Sequence, residues 1–460
     1  MIHKRSRIKP GPELAAGGRK RVLVVAYFFP PLGGGGVQRT LKHVRYLPAM
    51  GWDPIVIAPR KPGYEIRDEP PADSLSPGLV VERSFIFEPW WPVFRRLQAV
   101  VRSARRSRPA ASSTPGAAPE QGAPHGSAVR FAALVFFPDE HLTWIPFAVR
   151  SALRSHRREP ASAIYSTSPP ITGHLIGGIV ARLTGLPWVA DFRDPWIGNS
   201  FLPALPGAHG SAQRWIERWI VCNASAVITA TPSLTAMLRD RYPSSAARIS
   251  TITNGYDAEE IETLRPIPRN DGFIHLVYTG SVYGGVLDTF LAGLKQMLDQ
   301  EPAWIDRLRV EFIGWLDAES SSTARRYLAY PGLTRVVSFA GHRPRREAMA
   351  AAASADIALY LLPDDPRKAL FIGGKLFEYL GLGLPVLAVA PQGDAREVLA
   401  SLGTGVVVDP TPDGVASGLQ RILESRPRRG PVDPEGRYDR RTLARALAEC
   451  LDKAQSSNGN

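Results

Sequence analysis

Apolar and polar positions alternate along the chain in two recurring patterns. "RVLVVAYFF" (21–29) is an unbroken apolar run, which is what a strand covered on both faces requires. "VQRTLKHVRYLPAM" (37–50) then spaces its apolar residues about four apart and predicts a helix. The alternation continues. Further strands are predicted at "DPIVIAPR" (53–60), "ASAIYSTS" (161–168), "PWVADFRD" (187–194), "AVITATP" (226–232) and "RISTITNG" (248–255), with helices such as "ITGHLIGGIVARLTG" (171–185) between them. A second series begins near residue 272, with strands "FIHLVYTG" (273–280), "LRVEFIG" (308–314), "RVVSFAG" (335–341), "DIALYLL" (356–362), "PVLAVAP" (385–391) and "GVVVDP" (405–410). Strand–helix alternation of this kind predicts two doubly wound parallel sheets, an α/β fold of two facing Rossmann-like domains. Ligands bind such sheets at the carboxyl ends of the strands, which here would line a cleft between the two.

The predicted boundaries are a disordered basic tail over 1–20, an N-terminal domain over 21–265 and a C-terminal domain over 266–430. A final helix over 436–454 is expected to pack back on the N-terminal domain. "PAASSTPGAAPEQGAPHGSA" lies within a predicted flexible insertion at about 104–129, because it holds too little apolar surface to order itself.

Composition narrows the class. The 460 residues are 44% hydrophobic, as in ordinary soluble proteins, and long enough for two cores. Two cysteines far apart form no disulfide framework and no cysteine metal site, which fits a reducing cytoplasm. No apolar run spans a membrane, and the N-terminal stretch lacks the apolar centre of a secretory signal. The net charge of +13 favours anionic partners. Much of it sits in "FRRLQAVVRSARRSR" (94–108) and "VRSALRSHRR" (149–158), the first just after Trp90 and Trp91. Aromatics beside a basic helix suit an anionic membrane surface, though a solvated helix face with an aromatic foot in the core has the same pattern. Nucleic acid is not expected, since the basic residues fall in no binding motif.

Candidate chemistry sits on the loops. Gly33 to Gly36 run from the first strand into a helix N-terminus, so Gly34, Gly35 and Gly36 let backbone approach a ligand and present N–H groups to an anion. The dinucleotide fingerprint fails at Gln38, and the second strand ends in Arg60 rather than an acid, which disfavours NAD. "WVADFRDPW" places Asp191, Arg193 and Asp194 at a strand exit, either on the cleft edge or in a structural ion pair with each other. His174 opens the helix after "STSPP" and is a candidate catalyst or a satisfied helix residue. Gly280 and Ser281 end another strand and could present N–H groups and a hydroxyl to phosphate. Arg343 in "AGHRPRREA" is a candidate for a base edge or a phosphate. Histidine and carboxylate spacings give no metal site, so a diphosphate would have to be met by Lys, Arg and helix ends.

"YFFPPLGGGGVQR", "STSPP", "ADFRDPW", "TNGYD" and "GGKLFEYLGLGLPVLAV" together, in this order over about residues 20–425, resemble the bacterial glycosyltransferases of family 4. The resemblance implies a GT-B fold and a retaining enzyme, and the lack of an Asp-x-Asp pair makes it an expected metal-independent one. It would move a sugar from a nucleoside-diphosphate sugar to a glycan or lipid-linked acceptor in surface polysaccharide assembly, in the cytoplasm or on the inner face of the cell membrane. It also implies that Glu378 accepts hydrogen bonds from ribose hydroxyls and that Lys375, with Gly373 and Gly374, faces the diphosphate. Gly34 to Gly36 would approach the donor phosphates across the cleft, and Arg193 and Asp194 would line the reaction centre. Two departures stand out. Leu370 occupies the place of a second glutamate, and "GSVYGGVLD" lacks the usual arginine–lysine pair. Those departures keep two rival readings open: a GT-B scaffold whose catalysis has lapsed, and a nucleotide-sugar epimerase.

Overall fold

The computed structural model describes residues 19–63, 75, 78–88, 137–199, 205–267, 269–283, 285–425 and 427–457. Residues 1–18 of the expected tail, the insertion at 104–129 and the aromatic–basic stretch at 90–108 lie outside them.

The first sheet holds seven strands: β1 (Lys20–Val25), β2 (Trp52–Pro59), β3 (Val80–Ser84), β4 (Ala163–Ser168), β5 (Trp188–Phe192), β6 (Ala226–Thr229) and β7 (Ile249–Thr251). Their order is β3-β2-β1-β4-β5-β6-β7, and every pairing is parallel. The second holds β8 (Ile274–Thr279), β9 (Leu308–Ile313), β10 (Val337–Gly341), β11 (Ile357–Leu361), β12 (Val386–Val389) and β13 (Val406–Val408) in the order β10-β9-β8-β11-β12-β13, again parallel throughout. The GT-B expectation of two parallel sheets is met.

The continuous apolar runs follow from burial on both faces. Leu23 and Val25 of β1 join one core cluster, while Val22 and Val24 join the cluster on the opposite face. In the second sheet, Ile357, Leu359 and Leu361 of β11 face one way, and Ala358 and Tyr360 the other. Each fully buried large side chain of this kind contributes roughly 1.5–3 kcal/mol. Strand β3 escapes the periodicity argument. "VVERS" lies on the sheet edge with only Ser84 fully buried, so no apolar run marks it.

Eight helices place the site or define its surroundings: α1 (Gly35–Tyr46), α2 (Ile145–Arg158), α3 (Thr172–Thr184), α4 (Pro232–Arg241), α5 (Ala258–Glu262), α6 (Arg345–Ala353), α7 (Gly374–Gly381) and α8 (Arg440–Ser457). The chain crosses between the sheets at Tyr256–Asp257 and returns at Tyr438–Asp439. The two crossings are bonded side by side: Tyr256 N donates to Tyr438 O at 3.0 Å, and Arg440 N to Tyr256 O at 2.8 Å. After the return, α8 lays Leu443, Leu447 and Leu451 into the first sheet's core with Val22, Val24 and Val44. Among the described residues no helix is long and apolar enough to cross a membrane.

Candidate functional site

The carboxyl ends of the two sheets meet. Thr231, which caps α4 after β6, donates its hydroxyl to the Leu370 carbonyl at 3.0 Å. Ser233 donates its N–H and its hydroxyl to the Asp394 carboxylate, the latter at 2.8 Å. The loops that leave the other strand ends therefore face one another across the space between the sheets.

On the first side, Gly34 adopts φ 92° to turn the chain into α1, a left-handed conformation that disfavours a side chain. Gly36 is required for a different reason. A Cβ built there would lie 2.4 Å from Nη1 of Arg193. The Arg193 guanidinium thus rests on the first turn of α1, and its Nε donates to Asp194 Oδ2 at 3.1 Å. Both side chains keep partial exposure, at 16% and 19%. Three positions of the glycine turn, the arginine and its carboxylate come together here.

Asp191 stands apart. It is fully buried, and Arg39 of α1 grips it twice, Nε to Oδ2 and Nη2 to Oδ1, both at 2.8 Å. Tyr165 adds a third bond at 2.5 Å. Burial alone would raise the Asp191 pKa, but the Arg39 guanidinium overrides it and holds the carboxyl below its ordinary value. Asp191 thus has its ion pair with Arg39 of α1, outside "ADFRD", while Arg193 and Asp194 pair with each other.

His174 is also withdrawn from solvent. Its ring is 0% exposed and lies 4.5 Å from the Phe192 ring. Trp188 Nε1 donates to Ser166 Oγ at 2.7 Å, and Ser166 Oγ lies 2.8 Å from His174 Nδ1. The other ring nitrogen, Nε2, is buried without a partner. Desolvation pushes the pKa down to about 3. A sealed imidazole of so little basicity is a poor proton acceptor near neutral pH, so this geometry gives His174 a packing role and sets it apart from the catalytic candidates.

On the second side, β8 ends at Thr279, whose N–H and hydroxyl bond the Tyr379 hydroxyl of α7 at 2.9 and 3.0 Å. That tie places the loop of Gly280 and Ser281 over the first turn of α7. Ser281 offers its carbonyl to Tyr278 Oη at 2.8 Å, and a Cβ on Gly280 would stand 3.5 Å from Lys375 Nζ. The amine itself sits 3.7 Å from the centre of the Tyr278 ring. Burial pushes its pKa from 10.5 down to about 7, with Glu378 only partly opposing. Gly373 N donates to Tyr360 Oη at 2.9 Å and anchors the start of the helix. Gly374, next along, is exposed, and a Cβ there would meet nothing within 4 Å. A helix start with no side-chain cap and a lysine amine beside it is disposed to receive an anion.

Glu378 lies one turn along the same helix. Its Oε1 accepts from Arg345 Nη2 at 2.7 Å and Nε at 3.2 Å. The same guanidinium also bonds Glu260 of α5. Lys42 of α1 closes the series, 3.0 Å from Glu260 and 2.6 Å from Asp257. A ladder of alternating charges therefore joins α1, the crossing segment and the acid of α7. Burial would lower the Arg345 pKa, but Glu378 and Glu260 more than reverse it, and the cation is firmly held. Arg343 does not share this position. It pairs with Glu311 at 3.3 Å, and Arg345, two residues on, is the arginine that reaches Glu378.

Sequence reasoning missed Arg345 as a site residue, and nothing in "RPRRE" distinguishes one arginine from its neighbours. Lys368 is a second case. It is 8% exposed, its amine lies 4.9 Å from the centre of the Phe371 ring, and it is close enough to Asp194 to feel its charge. Desolvation pushes its pKa down to about 8. Among the described residues no cluster of three His, Cys, Asp or Glu side chains could hold a metal ion.

Comparison with known proteins identifies this arrangement. Residues 34–255 match the glycosyl transferase 4-like domain, and residues 274–425 match the glycosyl transferases group 1 domain. The chain belongs to these group 1, family 4 glycosyltransferases, enzymes that transfer a sugar from a nucleotide sugar. No curated protein sequence matches it significantly. Among solved structures it is similar to sucrose-phosphate synthase from Thermosynechococcus elongatus, at TM-score 0.59 and 15% identity, covering 95% of this chain and 100% of that one. It is similar to the N-terminal domain of trehalose-6-phosphate phosphatase from Candida albicans, at 0.59 and 12%, covering 98% and 100%. It also resembles Anabaena HepE in complex with UDP, at 0.50 and 13%, covering 95% and 98%. At such identities the likeness is one of fold, and that fold is GT-B.

Proposed function

We propose that the protein is a retaining, metal-independent glycosyltransferase that moves a sugar from a nucleoside-diphosphate sugar to a glycan or lipid-linked acceptor during surface polysaccharide assembly. It would work in the cytoplasm, at the inner face of the cell membrane. The observation that carries the reading is α7, which sets Lys375 at its open N-terminus and Glu378 one turn further on. An amine and free N–H groups there suit a diphosphate. A carboxylate with several lone-pair sites suits a vicinal diol, and Arg345, holding Oε1, fixes the rotamer that presents it. The complex of HepE with UDP supports a uridine nucleotide as donor.

Breaking the glycosidic bond leaves charge on the departing diphosphate and an oxocarbenium-like sugar. The α7 N-terminus and Lys375 would stabilise the former, with Lys368 and Arg193 nearby on the facing loops. The departing phosphate would then accept the acceptor's proton, so no separate general base is required. Arg193 and Asp194 would line the reaction centre and orient the acceptor hydroxyl. The family match favours transfer over the scaffold and epimerase readings.

The test is a thermal-shift panel of nucleoside diphosphates and their sugars, on the native protein and on Glu378→Ala. A ligand that binds only the folded state raises its melting temperature. Stabilisation by one nucleotide, lost in the variant, is expected. A nucleotide shift that survives Glu378→Ala would remove the ribose assignment, and no shift with any nucleotide would favour the scaffold. Turnover should persist in excess chelator, and its loss there would overturn metal independence.

A further inference from the structure

We infer that the β3–α2 edge of the first sheet is a docking surface for an anionic lipid bilayer. The inference rests on the chemistry of that edge and stands whether or not the donor reading above holds. Helix α2 turns Ala148, Ala152 and Ser155 into the core. Arg150, Arg154 and Arg157 lie across the helix from them, and all three are exposed. Among the described residues no carboxylate pairs with any of the three, whereas Arg158 lies 3.9 Å from Glu82 of β3. At the other end of the helix the surface becomes aromatic. Phe147 is 38% exposed and meets Phe85 edge-on, with ring centroids 4.9 Å apart. Phe85 and Phe87 are 52% and 54% exposed.

Phe85 and Phe147, in ring contact and open to solvent, with exposed Phe87 two residues further along the same segment, form an aromatic surface of the kind that marks an interaction site. Their neighbours choose the partner. Guanidinium groups pair with phosphate oxygens, and phenyl rings beside them reach the boundary between headgroups and acyl chains. A soluble polyanion would use the arginines and gain nothing from the rings. The parallel strands give the placement a consequence. Phe85 and Phe87 follow the carboxyl end of β3, on the sheet edge that also carries Gly34 to Gly36 and Arg193. Docking there would hold the mouth of the site close to the membrane, where a lipid-linked acceptor lies.

The experiment is co-sedimentation of the full-length protein with vesicles of phosphatidylcholine alone and of an equimolar mixture with phosphatidylglycerol. The native chain is expected to sediment with the mixture and not with phosphatidylcholine, and to be released at high salt. Arg150→Gln/Arg154→Gln/Arg157→Gln should lower the partition coefficient by roughly fivefold per arginine, about a hundredfold in all. Phe85→Ser/Phe87→Ser/Phe147→Ser should lower it as well, at unchanged net charge. Both variants should keep the native melting temperature to within a few degrees, since the arginines are exposed; if the phenylalanine variant melts early, Phe87→Ser alone takes its place. Undiminished sedimentation of the arginine variant would overturn the inference. So would loss in the arginine variant with none in the phenylalanine variant, which is the signature of a generic polyanion site.

Discussion

Lys375→Met isolates the electrostatic cost of the site. In the folded protein the amine's pKa falls from 10.5 to about 7 because burial penalises its charged form. At pH below about 7 the amine is charged in both folded and unfolded chains, and the folded state bears the full desolvation cost. Between about pH 7 and 10 the folded state sheds its proton while the unfolded state keeps it, so native stability rises with pH. Above that range both are neutral and the cost is gone. The shift corresponds to a ceiling of about 5 kcal/mol at about 1.4 kcal/mol per unit, and partial exposure of the residue reduces it to roughly 2–4 kcal/mol. Methionine keeps the packing of the stem and forfeits the contact with Tyr278, worth about 1–2 kcal/mol. The variant should therefore be more stable than the native protein near pH 6, by up to about 3 kcal/mol, with the gain shrinking toward pH 10. Urea denaturation of both proteins across that range is the assay. In parallel, the nucleoside-diphosphate thermal shift should be lost in the variant. In the native protein it should weaken as pH rises through about 7, because diphosphate binding then requires proton uptake. A variant that is less stable at low pH, or whose stability difference is flat with pH, would refute the reasoning.

The remaining predictions separate scaffold from site. Gly36→Ala should push Arg193 aside and cut turnover roughly tenfold while changing stability by less than about 1 kcal/mol, because the 2.4 Å contact is with the end of a flexible side chain. Gly35→Ala, where a Cβ meets nothing within 4 Å, should be neutral in the same assay. Arg39→Met should cost about 3–5 kcal/mol in chemical denaturation by stranding the buried Asp191, and adding Asp191→Leu should recover much of it. His174→Leu should lower stability by about 1–3 kcal/mol and leave turnover per folded molecule within a few-fold of native. A collapse of turnover at unchanged stability would return the histidine to the catalytic group.

Much of the fold was legible because a strand covered on both faces is apolar along most of its length instead of alternating. Runs such as "RVLVV" and "PVLAV" therefore announce a parallel sheet without reference to any neighbour. The amphipathic α8 was legible from a different pattern, apolar residues recurring every three to four positions. The edge strand β3 was not, since an edge asks for little burial. At the site, the glycines before α1 and the acid and base of α7 could be read because their positions within one turn of a helix fix their separation. Sequence alone thus determined the two sheets, the loops at their carboxyl ends and the placing of Lys375 and Glu378 within one turn of a short helix. Tertiary structure decided the rest. It buried Asp191 against Arg39, sealed His174 beside Phe192, paired Arg343 with Glu311, set Arg345 against Glu378 and brought Lys368 near Asp194. Each of those outcomes depends on which side chain meets its partner across a gap of many residues. Local periodicity carries no information about such meetings, because only the packing of the two sheets brings the charges together.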